Sequence, residues 1–309
     1  FRRYFNIPFA IGFDSGRSSE YAILKAAGIG PGDEVLVQAF TCVAVPNSVL
    51  WTGAMPVYVD IDETGNMDAL DLRKKITPKS RAIIVQHTLG VAANMDEIVR
   101  LARKSKLLLI EDCAHAIGAT YTSPTYKERK LGTFGDFAFF SFGRDKAVSS
   151  VFGGMVIAKS RRHAKMLRSM QRDLSFPSVL WILRQLLHPI SFAVILPLYP
   201  FILGKVILFL LLRLRVLSIP VGDSEKKGKR PSFYPRKLPN ALSLLALNQV
   251  KKLDAYNAKR REFAVFYIKV LHGLPIVLPT AYEGDIFLRF NIQVNNPKAI
   301  YEFARKRGI

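Results

Sequence analysis

Between residues 34 and 172, short runs rich in Val, Ile, Leu and Phe alternate with stretches whose apolar residues recur every three to four positions. A continuous apolar run must be buried on both faces, and the amphipathic stretches supply helices to cover it. The alternation therefore specifies βα units around a buried, mostly parallel sheet, the α/β class. Strands are expected over residues 34–38, 56–60, 82–86, 107–111, 137–141 and 155–158, and helices over 18–27, 43–52, 95–104 and 160–172. GIGPGDE at 28–34 contains GxGxG, but it follows a helix and precedes a strand, the reverse of a dinucleotide-binding turn. It reads as a plain turn.

The 309 residues are half hydrophobic, so the chain can bury a full core and is neither disordered nor a disulfide miniprotein. Cys42 and Cys113 are its two cysteines, with no CxxC and no Cys/His cluster at ligand spacing, so no metal site or disulfide framework is expected. A reducing cytoplasm fits this usage. The opening FRRYFNIPFA lacks the apolar core of a signal peptide, and a start at Phe1 rather than methionine suits a piece of a longer protein.

A net charge of +21 would alone suggest nucleic acid or an anionic membrane surface. Location decides between them. Residues 157–240 hold 16 basic and 3 acidic side chains and also the most apolar run in the chain, a pairing that points to lipid and away from nucleic acid. Residues 185–204 carry no formal charge for 20 residues, which reaches membrane-spanning length. Pro189, Pro197 and Pro200 interrupt this run, and Arg184, Arg213 and Arg215 flank it. A broken helical pair in the bilayer interface, its arginines reaching lipid phosphates, suits these features better than one straight span. A hairpin buried in an oligomer interface is the competing reading. GDSEKKGKRP at 222–231 reads as a flexible basic loop. A long helix is expected over 238–271, a strand over 286–294 and a helix over 297–307. The chain thus divides into a large domain (1–173), a hydrophobic and basic insertion (174–231), and a long helix with the start of a truncated α+β small domain (232–309).

LLLIEDCAHAIGA at 107–119 sets Asp112 after a buried parallel strand, at the carboxyl edge where ligands of open α/β sheets collect. Taken alone, such a carboxylate is more often a helix cap or turn residue than a catalytic group. FFSFGRDKAVSSVFGGM at 139–155 ends a strand at Ser141, carries Lys146 in a loop and opens the next strand on Gly153 and Gly154. A lone loop lysine is ordinarily solvated. Together, a strand-end Asp, a loop Lys 34 residues later, a Ser five residues before that Lys and a Gly-containing helix N-terminus match what pyridoxal phosphate requires. The amine attaches the cofactor, the carboxylate holds its pyridine nitrogen protonated as an electron sink, and hydroxyls with helix amides take the phosphate.

With these residues in place, the chain resembles the DegT/DnrJ/StrS-type sugar aminotransferases, pyridoxal phosphate enzymes of the aspartate aminotransferase fold. The resemblance rests on SGRSSEYAILKAAGIGPGDEVLVQAFTCVAVPNSVLWTGAMPVYVDID, IEDCAHAIGATY, GTFGDFAFFSFGRDK and PNALSLLALNQVKKLDAYNAKRREFAVFY, and covers about residues 10–173 and 234–309. It implies a three-layer large domain, with the hydrophobic stretch as an insertion. It gives Lys146 the role of the attaching lysine and proton shuttle, and Asp112 that of the pyridine-nitrogen partner. His115 falls where the family has a glutamine on the cofactor's phenolic side, and Ser141 matches the phosphate-binding serine. Gly16, Arg17 and Ser18 align with a Gly-Thr-Ala phosphate segment, and Cys42 aligns with the aromatic that stacks on the cofactor ring. Pro235, with Arg236, Lys237 and Asn240 nearby, stands where an Asn reaches the neighbouring subunit's phosphate. His87 matches a family histidine and reads as core packing as readily as catalysis.

The implied activity moves an amino group from glutamate to a nucleotide-linked keto sugar, in cell-surface polysaccharide or amino-sugar biosynthesis, by a homodimer. Related dehydratases carry histidine at the position of Lys146, so the lysine favours amino transfer. The expected location is cytoplasmic, with peripheral or re-entrant attachment to the anionic inner membrane through residues 185–215. A relative altered at Arg17, Cys42 and Pro235, acting as a membrane-associated regulatory or binding protein, is the second reading.

Overall fold

The computed structural model describes residues 1–214, 216–219, 221–232 and 234–307. The elements run α1 (Arg2–Phe5), β1 (Phe9–Phe13), α2 (Gly16–Ala26), β2 (Glu34–Gln38), α3 (Ala44–Leu50), β3 (Met55–Val59), α4 (Ala69–Lys75), β4 (Ser80–Gln86), α5 (Met95–Lys104) and β5 (Leu108–Asp112). A two-stranded ribbon of β6 (Thr120–Tyr121) and β7 (Arg129–Lys130) precedes β8 (Phe137–Ser141), β9 (Gly154–Ala158) and α6 (Arg161–Asp173).

The main sheet has the order β1-β9-β8-β5-β4-β2-β3, and only β9 runs against the others. Successive residues of its strands face opposite layers. Leu36, Ile83, Leu109, Ala138 and Phe140 pack with Met95, Ile98 and Leu101 of α5 and Leu253 of the late helix. Val35, Val37, Ile84, Ile110 and Phe139 pack with Ile23 and Leu24 of α2, Val45 and Val49 of α3, and Leu167 of α6. Each of these fully buried side chains stabilises the fold by about 1.5–3 kcal/mol, the reason this sheet is covered on both faces. Helix starts are set by side-chain caps: Ser15 on α2, Asp68 on α4, Asn94 on α5 and Ser160 on α6.

All six expected strands form, with ends displaced by up to two residues, as do the four helices. The displacement at β5 makes Asp112 the last residue of that strand rather than the residue after it. The sequence reading omitted β1, β6, β7, α1 and α4. FAIGF becomes a strand because residues 9–13 pair with residues 154–158, a partner distant in the chain.

The insertion forms α7 (Val179–Leu198) and α8 (Ile202–Arg213), the expected broken helical pair, with Pro189 and Pro197 inside α7. Arg215 lies outside the described residues. Gly204 permits the tight turn: a Cβ there would stand 2.4 Å from the Leu198 carbonyl. Two expectations beyond it need correction. Residues 222–231 are not a loose loop, because α9 (Asp223–Lys226) forms there and Glu225 is buried. Residues 286–294 form no strand; Ile286 and Arg289 donate their N–H groups to the Gly90 and Leu89 carbonyls, so this apolar segment is used to dock a turn, leaving one isolated bridge between Val277 and Gln293. The long helix is α10 (Asn240–Leu271), followed by α11 (Pro297–Lys306).

Candidate active site

At the carboxyl ends of β5 and β8, beside the N-terminus of α2, a cavity of about 180 Å³ brings together Gly16, Arg17, Cys42, Asp112, His115, Ser141 and Lys146. Seven of the eight residues expected to hold the cofactor within one chain thus line one space. Ser18 does not. One residue round α2 from Arg17, about 100° away, its hydroxyl accepts from Ser15 Oγ at 2.9 Å and its N–H donates to Ser15 Oγ at 3.1 Å, so it packs inward and closes the helix start.

Asp112 is buried, and its Oδ1 accepts the Ala114 N–H at 2.9 Å. Burial raises its carboxyl above the ordinary value, while the Ala114 hydrogen bond and the charges of Lys146 and His87 draw it back. Lys146 lies 3.5 Å from Asp145 Oδ2, and Arg289 approaches the same oxygen at 3.6 Å. His115 is pushed down to about 4, chiefly by burial and then by Lys146, so its ring is neutral. Its Nδ1 accepts the Leu89 N–H at 3.3 Å, which places the proton on Nε2 and makes that nitrogen a donor.

The α2 N-terminus is a cradle with no spare room. A Cβ on Gly16 would come within 2.8 Å of Ser141 Cβ, and one on Gly154 within 2.4 Å of the Ser15 carbonyl. Helix amides, the Ser141 hydroxyl and the Arg17 guanidinium meet at this end, a combination suited to phosphate. Cys42 stands at the exposed rim.

His87 is used elsewhere. It is fully buried, with Nε2 3.3 Å from Glu111 Oε2 and Nδ1 accepting from Ala93 N at 3.3 Å. Cys113 completes a set of ligand-type atoms within 4.8 Å of one another. Glu111, however, already accepts N–H groups from Gly132, Phe134 and Gly135, each at 2.7 Å, so the group anchors the loop before β8.

Part of the site was hidden from sequence reading. The insertion closes over the cavity: Val221 lines it, Glu225 forms an ion pair with Arg17, and the Asn47 amide and Trp51 indole donate to the Glu225 and Gly228 carbonyls at 2.7 and 2.9 Å. Arg144 donates to Ser218 at 2.7 Å, and Ser218 donates to Gln185 of α7 at 2.6 Å. Nothing in a basic run marks Glu225, one of its two acids, as the partner of a buried arginine 208 positions away. Glu20, also in the cavity wall, was missed although a signal was present: a charge on the apolar face of a helix, in register with Ile23 and Leu24. Within the one chain, Tyr234 lies 5.5 Å from the guanidinium of its own Arg17, and Arg236 pairs with the backbone of Asp14.

Comparison with known proteins identifies relatives of the chain. The chain is 41% identical over 169 residues to GDP-perosamine synthase of Caulobacter vibrioides, a match covering 54% of this chain and 44% of that protein. It is 30% identical over 307 residues to UDP-N-acetyl-3-dehydro-alpha-D-glucosamine 3-aminotransferase of Acidithiobacillus ferrooxidans, covering 98% of this chain and 69% of that one. Among solved structures, DesV of S. venezuelae in complex with a ketimine intermediate superimposes with a TM-score of 0.75 and 27% identity, over 100% of this chain and 70% of that chain. Some matches therefore span less than half of the relative's length. Residues 1–175 match the DegT/DnrJ/EryC1/StrS aminotransferase family, and the chain belongs to that family.

Proposed function

We propose that the chain carries the cofactor site of a pyridoxal phosphate-dependent aminotransferase that moves an amino group from glutamate to a nucleotide-linked keto sugar, for polysaccharide or amino-sugar synthesis. The convergence of Asp112, His115, Ser141, Lys146 and the α2 N-terminus on one cavity carries this reading. The residues fit the cofactor. The Gly16 and Ser141 cradle with Arg17 suits its phosphate, neutral His115 offers a donor, and buried Asp112 offers the carboxylate. When bound, the cofactor supplies the electron sink for breaking a bond at the amine-bearing carbon. In this reading Asp112 holds a proton on the pyridine nitrogen, and Lys146 carries protons from its half-buried position on the loop after β8.

The test is direct. Purified protein loaded with pyridoxal phosphate should lose its visible absorption band on adding glutamate and regain it with a keto-sugar nucleotide. Lys146→Ala should abolish the pyridoxyl label trapped by borohydride, because only a lysine amine can hold it. Label surviving on another lysine refutes the assignment.

Two finer parts of the reading concern setting. The active form is a homodimer, supported by apolar side chains exposed on α10, Leu244 and Leu247 among them. The α7–α8 pair attaches the enzyme to an anionic membrane surface on the cytoplasmic side. It is supported by a mean hydropathy of 1.7 over an 18-residue window of α7, of which 11% is buried, and by the basic run beyond α8.

A further inference from the structure

Glu20 stands one turn into α2, three residues beyond Arg17 and four beyond Gly16, on the face those residues turn to the cavity. It is 1% exposed, and its Oε1 has no hydrogen-bond partner among the described residues. The groups that face it come from three elements and a loop: the Asp112 carboxyl of β5, the Ser48 hydroxyl of α3, Arg17 of its own helix, and the Cys42 thiol before α3. None neutralises it. Arg17 is engaged by Glu225, and Ser48 gives its proton to the Ala44 carbonyl at 2.9 Å. Burial and then Asp112 push the Glu20 carboxyl well above the usual range, and Ser48 and Arg17 draw it back only in part. A buried carboxylate with one oxygen unpartnered, beside a second carboxylate, is strongly disfavoured, whereas the neutral acid retains a proton to give. An apolar side chain would satisfy a helix buried on this face, so an unpartnered carboxyl aimed into a cavity implies a ligand that partners it.

We propose that Glu20 is a positioning residue for the bound cofactor, its protonated carboxyl donating a hydrogen bond from the cavity wall to an oxygen of the anionic ligand. The proposal rests on the cofactor reading above. Its consequence is an affinity that falls once Glu20 ionises, since the carboxylate then faces both Asp112 and an anionic ligand.

Pyridoxamine 5′-phosphate is the probe, because it lacks the aldehyde and its binding is independent of bond formation to Lys146. Calorimetric titration of wild type, Glu20→Gln and Glu20→Leu from about pH 6 to about pH 9 reads the effect. The affinity of wild type relative to Glu20→Gln should fall roughly tenfold across that range, because the amide keeps a donor and cannot ionise. Glu20→Leu should bind about five- to tenfold more weakly than Glu20→Gln throughout. Thermal melts of the free proteins should show both variants at least as stable as wild type at the high-pH end, which separates lost binding from lost folding. Either parallel pH profiles for wild type and Glu20→Gln, or undiminished binding by Glu20→Leu, overturns the proposal. If wild type binds no pyridoxamine phosphate at any pH, the cofactor reading itself falls, and this proposal with it.

Discussion

Burial raises two carboxyls in this protein, Asp112 and Asp14, and they differ in the groups that oppose it. Asp112 keeps Lys146 and His87 within reach of its charge, and both favour its ionised form. Asp112→Asn preserves size but cannot hold a proton on the pyridine nitrogen, so amino transfer should drop by on the order of a hundredfold or more, with cofactor binding partly kept. Unchanged turnover would reduce Asp112 to a cap for Ala114. Asp14 is pushed up to about 7 from 3.8, chiefly by burial, against weaker pulls from Ser18 and Arg236. Between those values the folded state binds a proton that the unfolded chain has released, so stability falls as pH rises through the window and stays lower above it. Asp14→Asn can still accept the Arg236 N–H and removes the ionisation. Its thermal stability should exceed wild type above pH 7, on the order of 2–4 kcal/mol, with the gap closing toward pH 4. A gap that is constant with pH would show that Asp14 does not titrate in this window.

At the scale of elements, α7 and α8 differ from the helices that cover the sheet in what they expose. Ile202 is 80% exposed and Phe209 61%, whereas equivalent apolar residues of α2 and α5 are buried. A helix pair that leaves such residues to solvent needs another apolar phase to cover them. Ile202→Glu combined with Phe209→Glu should cut sedimentation with anionic vesicles by at least about tenfold. Neither residue lines the cavity, so pyridoxal phosphate binding should be unaffected. Equal sedimentation of the double variant and wild type would favour an oligomer contact instead. Removal of residues 189–220 is a blunter test, because Ser218 lies within that range and ties Arg144 to α7.

For the whole molecule, assembly is the open property that one measurement decides. Light scattering of the active enzyme should give twice the mass of its single chain, and a fully active monomer would sink the dimer reading. The architecture beneath was legible without any partner. Apolar runs such as EVLVQ and AFFS dictate strands buried on both faces, and the amphipathic MDEIVRLARK dictates a covering helix, because burial periodicity is written locally. Asp112 and Lys146 were legible for a related reason: each sits at the end of, or just beyond, a strand the sequence already defines. The place of β1 beside the antiparallel β9, the inward turn of Ser18, the docking of residues 286–289 and the closure of Glu225 on Arg17 were decided only by tertiary structure. Each depends on a partner far away in the chain, and a local pattern records that a group must be buried or paired but not which distant group will meet it.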